Sequence, residues 1–145
     1  MRKRLIALLC GLLTVVFLLG GLIVWHSQDR CKLRLERTCL SLEYATTPAQ
    51  LALGLGGRDA MPNNHGMLFV LDQHSPACFW MKDMHYNLDI IWLDAARRIT
   101  TIQLNVSPSS YPHSYCPSLP AAYVLEVNAS VADSNRLQIG QRIDF

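Results

Sequence analysis

The sequence predicts a mainly β domain of the α+β class, a small antiparallel sheet that is either barrel-like or a sandwich, with one short capped helix, carried behind a single N-terminal transmembrane helix. Three observations predict it: an uncharged apolar run from Leu5 to Trp25, several later runs of strand length, and one strong helix start at Thr47-Pro48-Ala49-Gln50. The 145 residues suffice for one core of ordinary size. Half of them are hydrophobic, an average raised by the N-terminal run.

A helix of about 20 apolar residues crosses a bilayer core, and Leu5 to Trp25 is long enough. Arg2, Lys3 and Arg4 precede it, so the positive-inside rule keeps the N-terminus in the cytoplasm and sends the rest across. A cleavable signal peptide has a shorter apolar region and a small-x-small exit; here the exit reads Gly21-Leu22-Ile23-Val24-Trp25, and Trp25 suits the headgroup layer. Residues 1–25 are thus expected to be a cytoplasmic tip and signal anchor, with Cys10 an ordinary residue of the helix. Residues 26–38 form a charged juxtamembrane stem and residues 39–145 an extracytoplasmic domain on the cytoplasmic membrane. Without Arg2, Lys3 and Arg4 the chain has 10 basic against 11 acidic residues, which argues against nucleic acid as a partner.

Cys31, Cys39, Cys78 and Cys116 all follow the anchor, where an oxidising compartment lets disulfides persist. Four cysteines allow three connectivities; Cys31 with Cys39 and Cys78 with Cys116 is the favoured one. No close Cys pair supports a zinc site, and no metal or cofactor is expected.

Cys39 to Ala45 alternates, with Leu40, Leu42 and Tyr44 to one side, as a half-buried strand does. Thr47-Pro48-Ala49-Gln50 combines a hydroxyl N-cap, a first-turn proline and a capping-box glutamine, so a helix starts at Pro48 and should stop near Gly56-Gly57. Turn chemistry at Pro62-Asn63-Asn64 leads into an apolar strand over Gly66–Leu71. Further strands are expected over Ala77–Asp83, Leu88–Asp94, Ile99–Val106 and Tyr123–Asn128, with a hairpin-like piece over Leu137–Phe145. The short joins at 86–87 and 95–98 predict antiparallel neighbours. Residues 107–120 hold four of the seven prolines and read as a surface loop tethered by Cys116.

Gly54-Leu55 and Arg58, Gly66-Met67-Leu68-Phe69, Phe79-Trp80-Met81-Lys82, Leu88-Asp89-Ile90-Ile91 and Tyr123-Val124-Leu125-Glu126 together resemble the domain of unknown function 192 family, in order and spacing, over roughly residues 39–145. The resemblance implies a compact β-barrel-like domain, often exported or membrane-anchored, and carries no established activity. Three positions depart from the pattern: Asp83 stands where asparagine is common, Ser130 where a glycine is usual, and the helix end lacks a frequent methionine.

Arg58, Trp80, Lys82, Asp89 and Glu126 are the candidate ligand-binding residues. Strand alternation puts Trp80 and Lys82 on one face, where an indole platform and an ammonium donor would hold an anionic or hydroxyl-rich ligand; the blander reading is a core tryptophan with a snorkelling lysine. Asp89 and Glu126 each interrupt an apolar run, which is costly unless they are paired, and Arg58 or Lys82 would serve Asp89. His65, His74, His85 and His113 lie in or beside turns and read as surface residues. Ser107, Ser109, Ser110, Ser114 and Ser118 lack the nucleophile elbow of a serine hydrolase, and Gly56-Gly57 lacks the context of a phosphate loop.

No complete catalytic constellation is present, so whether the chain is an enzyme stays open, with the balance against. The expected function is a membrane-anchored binding or accessory module of the cell envelope, contacting carbohydrate, peptide or another membrane protein, the last through Tyr111 and Tyr115. The alternative is a small envelope enzyme in which Lys82, Asp89 and Glu126, with Arg58, perform acid/base chemistry on carbohydrate or peptide.

Overall fold

The computed structural model describes residues 31–72 and 78–145. The expected anchor, Cys10 and His74 lie outside the described residues, among which no helix is long and apolar enough to cross a membrane.

Strands β1 (Leu33–Arg34), β2 (Cys39–Ala45), β3 (His65–Val70), β5 (Leu88–Leu93), β6 (Ile99–Val106) and β8 (Tyr123–Asn128) form one sheet in the order β1-β2-β3-β8-β5-β6. β4 (Phe79–Trp80) and β7 (Ser114–Tyr115) make a separate two-stranded ribbon. Two short helices, α1 (Pro48–Leu53) and α2 (Val131–Ser134), complete the fold. The sheet curls as a half-barrel, and its edge strands β1 and β6 do not pair with each other among the described residues.

The three central strands are apolar on both faces, as strands covered on two sides must be. Met67, Phe69, Ile90, Trp92 and Val124 belong to one core cluster, together with Leu55, Met81 and Met84 from the segments that cover that face. Leu68, Ile91, Leu93, Leu125 and Val127 belong to the other, with Leu33 of β1, Ala132 of α2, and Leu137 and Ile143 beyond it. Gly66 is small because β8 runs close behind it: an added Cβ would stand 3.0 Å from the Glu126 carbonyl oxygen.

The predicted capping box forms. The Thr47 hydroxyl accepts from the Gln50 backbone N–H, and Gln50 Oε1 accepts from the Thr47 N–H at 3.1 Å. α1 ends earlier than expected, at Gly54, whose left-handed φ of +52° closes the turn. Both disulfides, Cys31–Cys39 and Cys78–Cys116, have the favoured connectivity.

Four expectations are corrected. The sheet is not wholly antiparallel: β2 and β3 run parallel, because α1 and its loop supply the long crossover that parallel neighbours require. The strand predicted over Ala77–Asp83 shrinks to Phe79–Trp80 and pairs with β7 instead of β5. The hairpin-like piece over Leu137–Phe145 forms no strand; it touches the sheet through the isolated bridge Arg98–Arg142 and through the Ile143 N–H, which donates to the Arg97 carbonyl. Residues 31–38 pack with the domain, Leu33 being fully buried against β2, so they are not a solvated stem.

Candidate functional site

A cleft of about 370 Å³ opens on the face of the sheet covered by α1 and β4. The turn from Leu51 to Gly56 forms one wall, Phe79, Trp80 and the following turn through Met84 form the other, and Phe69 and Glu126 lie beneath. Two backbone features hold the walls together. The Gly57 N–H donates to the Asp83 carbonyl at 2.8 Å, and Gly56 sits so near the opposite wall that an added Cβ would come within 3.3 Å of the Lys82 carbonyl oxygen. Cys78 also borders the cleft, so its bond to Cys116 fastens the β4 wall to the loop that carries β7.

Aromatic rings connect the cleft to the core. Phe79 meets Phe69 edge-on at 4.8 Å and the buried Trp92 at 6.1 Å. Trp80 faces outward, 53% exposed, with Tyr111 as its edge-on neighbour at 6.2 Å. The core tryptophan is therefore Trp92. Lys82 and Asp83 are exposed at the rim, and among the described residues no carboxylate forms an ion pair with Lys82.

Glu126 sets the chemistry of the floor. Strand alternation on β8 aims it to the same side as Val124, between Met67 of β3 and Ile90 of β5. It is only 4% exposed, and among the described residues no donor is hydrogen-bonded to its carboxyl. Burial alone pushes that carboxyl up from the ordinary 4.5 to about 8, since the ion would lose its water without gaining a partner. At neutral pH the group is largely a neutral acid.

The other candidates lie elsewhere. Asp89 alternates to the opposite face, fully buried, where its two oxygens accept the Asn105 and Ala132 N–H groups at 2.9 Å each. It ties β6 and α2 to β5 and needs neither Arg58 nor Lys82. Arg58 makes a two-pronged pair with Glu43 at 2.7 and 2.9 Å, and the shared hydrogen bonds hold Glu43 below and Arg58 above their usual ranges. Trp80, Lys82 and Glu126 are thus brought to one cleft, and Arg58 and Asp89 are not. Asp83, Phe79, Met84 and the α1 turn are cleft residues that the strand reading passed over. The alternation it assumed stops at Trp80, where a turn with Asp83 at φ +56° begins. Among the described residues no three His, Cys, Asp or Glu side chains gather as a metal site would require.

A family model, DUF192, described as "Uncharacterized ACR", matches residues 31–145. Two solved structures are similar over most of the chain. A Novosphingobium aromaticivorans protein of unknown function has 29% identity and a TM-score of 0.70, over 74% of this chain and 76% of its own. A Sinorhizobium meliloti protein described provisionally as a transcription regulator has 32% identity and a TM-score of 0.70, over 77% of this chain and 88% of its own. No curated protein matches the chain.

Proposed function

The chain belongs to the DUF192 family, and we propose that it acts as a binding module of the cell envelope, anchored by its N-terminal apolar run and displaying the Trp80–Glu126 cleft on the extracytoplasmic side. The observation that carries this reading is the cleft itself: a concave site of mixed apolar and polar lining with one buried polar group at its floor has the usual form of a small-ligand site. The exposed Trp80 and Lys82 at its mouth support it, because an indole left in water is a frequent anchor for a ligand. Two disulfides suit an oxidising compartment, and the basic tip before the apolar run supports the outward topology. The ligand is a short piece of an envelope polymer, small enough to enter with one end.

Ligand-observed NMR of the folded domain against envelope-derived glycans and peptides tests the proposal. Binding that is lost in Trp80→Ala and displaces the Trp80 indole resonance is the expected result. Ligands that bind without perturbing Trp80 or Glu126, or none at all, would overturn it.

The alternative enzyme reading loses one of its two carboxylates, since Asp89 is committed to backbone donors on the other face. One observation still favours it: Glu126 titrates in the range of a general acid or base, with Asp83 at the same cleft. Turnover of a bound glycan or peptide that Glu126→Gln abolishes would select this second reading.

A further inference from the structure

We propose that the cleft recognises an alkylammonium group, an amine at the end of an apolar stem such as a peptide lysine-like side chain carries, with the ammonium seated against Glu126. The inference rests on the binding-module reading and names the chemistry recognised at that site. The floor offers a carboxyl that is nine-tenths buried and has no donor bonded to it among the described residues. An ammonium with several N–H donors supplies what such a group lacks, both charge and hydrogen bonds. The walls offer a place for the stem: Leu51, Leu55, Phe69, Phe79 and Met84 are hydrocarbon or aromatic.

The charged groups around Glu126 agree. α1, β3 and β5 present no titratable side chain to it: Leu51, Phe69, Met67 and Ile90 are its neighbours on those elements. The segment after β4 brings Lys82 and Asp83 at the rim, of opposite charge, so the mouth is electrically mixed. Tyr86 senses Glu126 at a distance; burial raises its phenol, Arg58 opposes that, and Glu126 adds to it.

Insertion of the ammonium converts the Glu126 acid to its carboxylate and releases one proton to solvent. Affinity therefore rises with pH up to about 8, where Glu126 is already ionised, by about tenfold per unit. A neutral ligand that accepts a hydrogen bond from the acid would show the opposite slope.

The test uses the folded domain with matched probes, Nα-acetyl-lysine amide against its Nα,Nε-diacetyl counterpart, and glucosamine against N-acetylglucosamine. The lysine amine should bind about 30-fold or more tighter than its acetylated partner, lose that advantage in Glu126→Gln, and lower the Glu126 carboxyl titration, followed by its ¹³C shift, by two units or more. Equal binding of both lysine probes, or tighter binding as pH falls, would overturn the ammonium while leaving the cleft as a site for neutral ligands. Preference for glucosamine would overturn the apolar stem, and absence of binding by every probe would overturn the proposal outright. The glycan and peptide screen separately decides whether the cleft binds anything.

Discussion

Two buried carboxyls on adjacent strands have opposite fates, and the difference lies in their donors. Asp89 accepts two backbone N–H groups, so both of its oxygens are paired within the fold. Glu126, on the other face, has none. Because the folded carboxyl of Glu126 is raised to about 8 from 4.5, the folded state holds its proton more tightly than the unfolded chain. Its contribution to stability is full below about pH 4.5 and is lost as pH rises to 8. Urea unfolding should show this fall, on the order of 3 kcal/mol between pH 5 and 9, and Glu126→Gln should flatten it; an unchanged slope in the variant would place the effect elsewhere. Asp89→Ala strands the buried Ala132 N–H and the partly buried Asn105 N–H and should cost about 2–3 kcal/mol. Ser130 sits at φ +73° and Asp83 at φ +56°, a backbone that glycine and asparagine tolerate better than serine. Ser130→Gly should accordingly stabilise by about 1 kcal/mol, read by the same unfolding curves.

At the level of elements, legibility followed the range of the signal. The bounds of β2, β6 and β8 and the capping box of α1 were readable because strand alternation and helix capping are local. The parallel pairing of β2 with β3 was not, since nothing local distinguishes a crossover from a long loop. The β4–β7 ribbon joins segments far apart in sequence, so its extent depends on tertiary pairing and on Cys78–Cys116. That is why Asp83, Phe79 and Met84 escaped notice as cleft residues while Trp80 and Lys82 did not. α2 is a single turn held by Asn135, whose side chain accepts from the Arg37 N–H and donates to Thr38 and the Val131 carbonyl; no periodicity announces so short a piece. Replacing Cys78 and Cys116 together by alanine should lower stability by about 2–4 kcal/mol and shift the Trp80 indole resonance, because the outer wall of the cleft loses its tether. Thr47→Ala should cost about 1 kcal/mol through the lost cap.

For the whole molecule, the sheet has one closed face and one face that carries a cleft. The face holding Asp89 is sealed by β1, α2 and the C-terminal stretch, whereas the face holding Glu126 is sealed only in part, and the remaining gap is the cleft. An anchored, outward-facing placement further requires that a reporter fused after Phe145 be active only if it matures outside the cytoplasm; activity of a cytoplasmic reporter instead would remove the envelope setting. The binding account depends most on the unpartnered acid under the cleft. A ¹³C titration of the Glu126 carboxyl in the ligand-free domain tests it directly: an apparent pKa near 8 is the result the account predicts, and a value near 4.5 would contradict it by showing that the charge is already satisfied.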